Sequence, residues 1–144
     1  MSTESLNFVV SLSGDFWDRL PQYTILLDDT AVASGTSLGD IAFQQDLEKG
    51  EHTLKIRLEN KLSSDTVVES GVIVKDMLLN INDIVIDDIS LGNLLWSAEY
   101  ILDEPQEYQG QTITYLDHCV NLGWNGTYIL KFTSPVYMWL LEKL

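Results

Sequence analysis

The sequence predicts a mainly β protein, an antiparallel β-sandwich of jelly-roll-like form with a short C-terminal helix. Three observations predict it. Across Gly50 to Asn60, Leu54, Ile56 and Leu58 alternate strictly with Thr53, Lys55 and Arg57, the period-two pattern of a strand with one wet face. Gln22 to Leu27 is a second alternating run closed by the turn Asp28-Asp29-Thr30, and similar runs recur between turn signals along most of the chain. Ser134-Pro135 then offers an N-cap followed by a proline at the first helical position, after which Val136, Trp139, Leu140 and Lys143 share one face.

The elements follow in order. From Leu6 to Ser13, Phe8, Val10 and Leu12 alternate with Asn7, Val9 and Ser11, which predicts the first strand, ended by Gly14-Asp15. The next loop carries Phe16, Trp17 and Leu20 before Pro21, and such a loop either plugs the end of a sandwich or presents a binding surface. A short segment at Ala31 to Ser34 and a strand near Ile41 to Leu47 lead into the Gly50 strand, and Leu62 to Asp65 is turn-like. Thr66 to Val74 alternates around Gly71, which predicts one strand with a bulge or a close backbone approach. Met77 to Ile81 and Ile84 to Ile89 read as two β-branched strands around Asn82-Asp83.

From about Leu91 tryptophan and tyrosine crowd the chain. Asp103 to Gln111 reads as an exposed loop, and Thr112 to Cys119 is expected to form a hairpin with Gly126 to Thr133 across the turn Gly123-Trp124-Asn125-Gly126. One domain is expected, with residues 1–92 as the sandwich core and 93–144 as an aromatic-rich extension packed on it.

Composition narrows the function. The formal net charge of −14 repels nucleic acid and anionic membranes, and no apolar run is long enough to span a bilayer, so neither is an expected partner. Cys119 is the only cysteine, so burial and not disulfides must hold the fold. Met1 to Ser5 has neither a basic start nor an apolar core, and the expectation is a chain without a signal peptide that folds in a cytoplasm.

No reactive constellation stands out, and the expectation is a protein that is not an enzyme. His118 and Cys119 are adjacent on a predicted strand, so their side chains diverge, and the pairs Asp28-Asp29 and Asp87-Asp88 diverge for the same reason. Sugar recognition needs less: Trp17, Trp96 and Trp124 are candidates for stacking on pyranose rings, against the alternative that they pack the core. Trp139, on the C-terminal helix, is a candidate anchor for a partner or a second copy.

The pairing of "YTILLDD" with "KGEHTLKIRLEN" resembles the calcium-dependent xylan-binding carbohydrate-binding modules. That resemblance implies a sandwich, a polysaccharide ligand and calcium as the candidate cofactor, with ligands at Glu59, Asn60, Asp65 and Asp76. Lys61 departs from the pattern by standing where a carboxylate is wanted. The segments "INDIVIDDISLGNLLWSAEY" and "CVNLGWNGTYILKFTSPVYMWLLEKL" look like parts of virion structural proteins of phages that infect marine cyanobacteria. That second resemblance implies a non-catalytic structural, decoration or attachment protein of a capsid, neck or tail. It would contact other virion proteins or its own copies, and through its sugar module a host surface polysaccharide. A stand-alone carbohydrate-binding module is the alternative reading.

Overall fold

The computed structural model describes residues 3–143; Met1, Ser2 and Leu144, which the sequence reading assigned to the leaderless start and the helix end, lie outside the described residues. Among the described residues thirteen strands and one α-helix follow each other as β1 (Thr3–Asp15), β2 (Tyr23–Leu27), β3 (Thr30–Gly35), β4 (Gly39–Glu48), β5 (Gly50–Leu58), β6 (Val67–Glu69), β7 (Val72–Lys75), β8 (Leu78–Ile86), β9 (Ile89–Ser90), β10 (Glu99–Tyr108), β11 (Gln111–Asp117), β12 (Asn121–Leu122), β13 (Gly126–Ser134) and α1 (Val136–Lys143). One sheet runs β12-β8-β1-β4 with β9 paired to β8, the other β11-β10-β13-β5-β2-β3, and β6-β7 is a separate ribbon. Every strand pairing is antiparallel. Among the described residues no helix is long and apolar enough to cross a membrane.

The expected β-sandwich is what forms. Leu6, Phe8, Val10 and Leu12 of β1 face Leu54, Ile56 and Leu58 of β5 and Tyr128, Leu130 and Phe132 of β13 in one apolar core. Alternation explains each face, since the intervening Asn7, Lys55, Arg57 and Lys131 are not buried.

Several expected boundaries shift, each for a local reason. Thr66–Val74 is not one strand: Ser70 and Gly71 both have positive φ, 52° and 78°, and they reverse the chain between β6 and β7 as a two-residue hairpin turn. Conversely, of the two runs around Asn82-Asp83, residues 78–81 and 84–86 join in the one strand β8, while Asp87-Asp88 turns the chain so that Ile89 belongs to β9. The register against β1 slips between Ser11 and Leu12, so Ile81 and Ile84 both point inward across a bulge. Asp103–Gln111 is largely strand, and the turn at Gln109-Gly110 joins β10 to β11.

The expected hairpin of Thr112–Cys119 with Gly126–Thr133 does not form. β10 lies between β11 and β13, and β13 lies between β10 and β5, so strands from both sides of residue 92 share one sheet. Nor does Ser134 cap the helix. Glu4 of β1 does so, its Oε1 accepting from the Val136 N–H at 2.8 Å and from the Ser134 hydroxyl at 2.6 Å.

The acidic turns are fastened the same way in both sheets. Asp28 and Asp87, each the first residue of a turn with positive φ, donate their N–H to the carbonyls of Thr53 and Asn7 at 2.9 and 2.8 Å. Their Oδ1 atoms accept the N–H of those same residues at 2.9 and 2.8 Å. These carboxylates fix turns to neighbouring strands.

Candidate functional site

The ladders bring one set of loops to one pole of the sandwich. Tyr23 and Gly126 are both opposite Leu58, Leu102 is opposite Gly126, and Asp15 is opposite Leu78. Two backbone hydrogen bonds carry the pairing a step further, Glu59 N–H to Gln22 at 3.1 Å and Asp103 N–H to Asn125 at 3.0 Å. The loops 16–22, 59–66 and 123–125 and the residue Asp76 therefore meet there.

Side chains fasten these loops. Asn60 bridges to the Gln22 N–H at 2.8 Å and the Leu20 carbonyl at 3.0 Å. Arg19 donates to the Asn60 carbonyl at 2.9 Å and to the carboxylate of Asp65, while the Trp17 indole N–H donates to the Asp65 carbonyl at 2.9 Å. Asn125 grips the backbone of Lys61 from both sides, at 2.8 Å to its N–H and 2.9 Å to its carbonyl. The Lys61 ammonium lies 2.7 Å from Asp76 and also donates to the Gly123 carbonyl.

Within this frame opens a cleft of about 600 Å³, lined by Lys61, Ser63, Thr66, Asp103, Glu104, Gln106, Trp124 and Asn125 among others. Its acidic wall arises from β10. The register against β11 breaks between Ile101 and Gln106, so Asp103, Glu104 and Pro105 stand out of that ladder, where Pro105 has no N–H to contribute. Asp103 is held by the Arg57 guanidinium at 3.0 Å, whereas Glu104 has no ion-pair partner among the described residues.

Trp124 also lines the cleft; it is half-buried, packed against the core, and has Tyr108 edge-on at 6.5 Å. The turn carrying Trp124 is pinned by the Tyr100 phenol, which donates to the Trp124 carbonyl. Burial holds that phenol far above its ordinary pKa, so it remains a donor throughout the accessible pH range.

The four expected calcium ligands do not gather around one point. Glu59 accepts from the Thr24 hydroxyl, Asn60 is spent on the backbone, Asp65 is paired with Arg19, and Asp76 is paired with Lys61. Burial raises the Asp76 pKa, but hydrogen bonds from Lys61, Thr66 and the Met77 N–H outweigh it, and the net shift is downward. Among the described residues no three His, Cys, Asp or Glu side chains gather where an ion could be held. This donor set does not fit calcium, because the chain's own cations already occupy the carboxylates.

The tryptophans separate into different environments. Trp17 is 45 % exposed, with the Lys75 ammonium 4.7 Å from its ring centroid, and its indole is tied to the 59–66 loop. Trp96 is 44 % exposed but does not line the cleft. Trp139 is only 4 % exposed and packs edge-on against Phe132 at 6.1 Å, which anchors α1 to its own sandwich.

Sequence reasoning missed Arg19, Asp103, Glu104, Gln106 and Asn125. Pro105 inside a polar strand and the Asn in a Gly-flanked turn are the signals that could have found the last four. His118 and Cys119 are not on a strand as expected: β11 ends at Asp117 and His118 has a positive φ of 56°, with Nδ1 bonded to the Trp96 carbonyl at 2.7 Å and the Cys119 Sγ bonded to the Asn121 carbonyl at 3.2 Å. Burial pushes the Cys119 thiol up, away from the reactive thiolate, against a smaller opposing effect of that hydrogen bond.

No family model matches the chain, and no curated protein sequence matches it. Two solved structures share its fold. vCBM60 in complex with galactobiose superposes with a TM-score of 0.55 at 10 % identity, covering 86 % of this chain and 96 % of that one. A selenomethionine form of vCBM60, described under circular permutation as a link between two families of calcium-dependent carbohydrate binding modules, gives 0.55 at 13 % identity, covering 87 % and 89 %. At such identities the likeness establishes the architecture, a β-sandwich of the kind found in carbohydrate-binding modules.

Proposed function

We propose that this protein is a carbohydrate-binding module whose cleft beside Trp124 takes a neutral hexose chain. The observation that carries this reading is the cleft itself, whose lining combines the indole of Trp124 with carboxylate, amide and hydroxyl groups. A pyranose presents an apolar C–H face and a rim of hydroxyls. The first stacks on an indole, and the second donates to Asp103, Glu104 and the amide oxygen of Gln106. The unpaired Glu104 and the net charge of −14 disfavour uronic acids and sulfated sugars.

Fold analogy with a module solved with galactobiose supports the sugar reading and favours it over a scaffold of a phage particle. A module of this kind acts by adhesion and performs no reaction. Glycan-array binding followed by calorimetry with galactobiose and other neutral oligosaccharides tests it. Trp124→Ala should weaken the best ligand by at least about 2 kcal/mol, roughly thirtyfold in Kd. Unchanged affinity in that variant, or no glycan bound by the parent protein, would overturn the reading.

A further inference from the structure

Two oxygen clusters at the loop pole have the chemistry of cation sites, and in both the cation is a side chain. Asp76 and the Gly123 carbonyl converge on Lys61, while Asp65 and the Asn60 carbonyl converge on Arg19. Carboxylate and main-chain carbonyl oxygens are the ligands a hard divalent ion takes, and an ammonium accepts the same donors without needing six or more of them.

The Lys61 side chain is only 9 % exposed, and Asn125 clamps its backbone from both sides. Its nitrogen joins the 59–66 loop to Asp76, which precedes β8, and to Gly123, which precedes β13. Of these segments, the 59–66 loop and the turn that follows Gly123 line the cleft, and Asp76 ties them to the start of β8.

We infer that Lys61 is an internal counter-cation, a positioning residue that orders the cleft in place of a bound divalent ion, so that loop order and ligand binding are independent of calcium. A protein that relies on calcium to gather these loops would be loose without it. Here the ammonium is covalently supplied, and no ion concentration controls the site. Loop order follows from the ion-pair geometry, and calcium-independent ligand binding rests in addition on the sugar reading.

Thermal unfolding of the full chain in millimolar calcium chloride and in chelator, at matched ionic strength, tests loop order. The parent protein should melt within about 1 °C in the two conditions. Lys61→Asp and the milder Lys61→Gln should melt lower in chelator and regain part of the loss with calcium, because the vacated oxygens then admit the ion. A purely structural lysine would give variants that stay equally destabilised in both solutions. That result in both variants would overturn the inference, as would a calcium-dependent rise of several degrees in the parent.

Ligand binding is read from galactobiose affinity, which should agree within about twofold with calcium or chelator present. Calcium-dependent sugar binding would overturn the inference while leaving the sugar reading intact. Absence of any sugar binding would sink that reading and leave the melting result to judge Lys61.

Discussion

Replacing Arg19 by Met probes how the loop pole is held. The Asp65 side chain is 4 % exposed and has two partners, the Leu62 N–H at 2.7 Å and the Arg19 guanidinium. Arg19→Met removes the counter-charge and also strips the Asn60 carbonyl of a donor at 2.9 Å. An uncompensated buried charge costs about 3–5 kcal/mol. Because Arg19 itself is 37 % exposed, water reaches the gap, and the expected loss falls to about 2 kcal/mol. For a chain of this size that lowers Tm by roughly 4–8 °C.

Urea unfolding supplies the free energy directly, with an unchanged m value showing that the loss belongs to the native state. Arg19→Met combined with Asp65→Leu should recover most of the loss, since an apolar pair of similar volume needs no counter-charge. A single variant within about 0.5 kcal/mol of the parent, or a double variant as poor as the sum of its parts, would refute the reasoning.

Three further outcomes are expected. His52 is nearly buried, and burial lowers its pKa; hydrogen bonds to the Glu48 carbonyl at 2.6 Å and Asp28 at 2.5 Å, with the nearby charges of Asp28 and Glu4, outweigh that and raise it. Its contribution to stability is therefore complete below the ordinary imidazole pKa of 6.5 and disappears as pH rises through the higher folded value. Urea midpoints measured from about pH 6 to 9 should fall in the parent and stay flatter in His52→Gln. Gly126→Ala places a Cβ 2.4 Å from the Ile101 carbonyl oxygen, which is backbone and cannot step aside, so β10 and β13 must separate at a cost of about 1–3 kcal/mol or more by the same unfolding assay. Trp139→Ala should lose about 3–5 kcal/mol of stability with no change in glycan affinity at temperatures where it stays folded, as calorimetry would show.

How much of this was legible in the sequence depends on which physical signal each segment carried. β1, β2 and β5 were readable because one face of each is buried along its length, so alternation survives in print. The ribbon of β6 and β7 was misread because both its faces are largely exposed, and neither the alternation nor Gly71 alone distinguishes a bulge from a turn. β8 looked like two strands because its bulge shifts the inward phase at Asn82.

Strand order could not be read at all. Nothing local in Gly126–Ser134 says that its neighbours are β10 and β5, because pairing partners are chosen by the assembled sheet. The aromatic crowding after Leu91, which suggested contacts on a particle, is in good part core: Tyr100, Tyr128 and Trp139 are buried. The candidate site was legible only as a turn containing Trp124 and a lysine where a carboxylate was wanted. Its remaining groups converge through register, which period and spacing do not encode.

The most direct test of a sugar cleft at the loop pole is amide NMR during titration with the tightest-binding neutral oligosaccharide, in chelator throughout. The account predicts that the largest shift changes cluster at Lys61, Ser63, Asp103, Glu104, Gln106, Asn125 and the Trp124 indole, and that the opposite pole around His52 and Trp139 is still. Changes centred on His52, Trp96 or the β6-β7 ribbon, with the Trp124 indole unmoved, would contradict it.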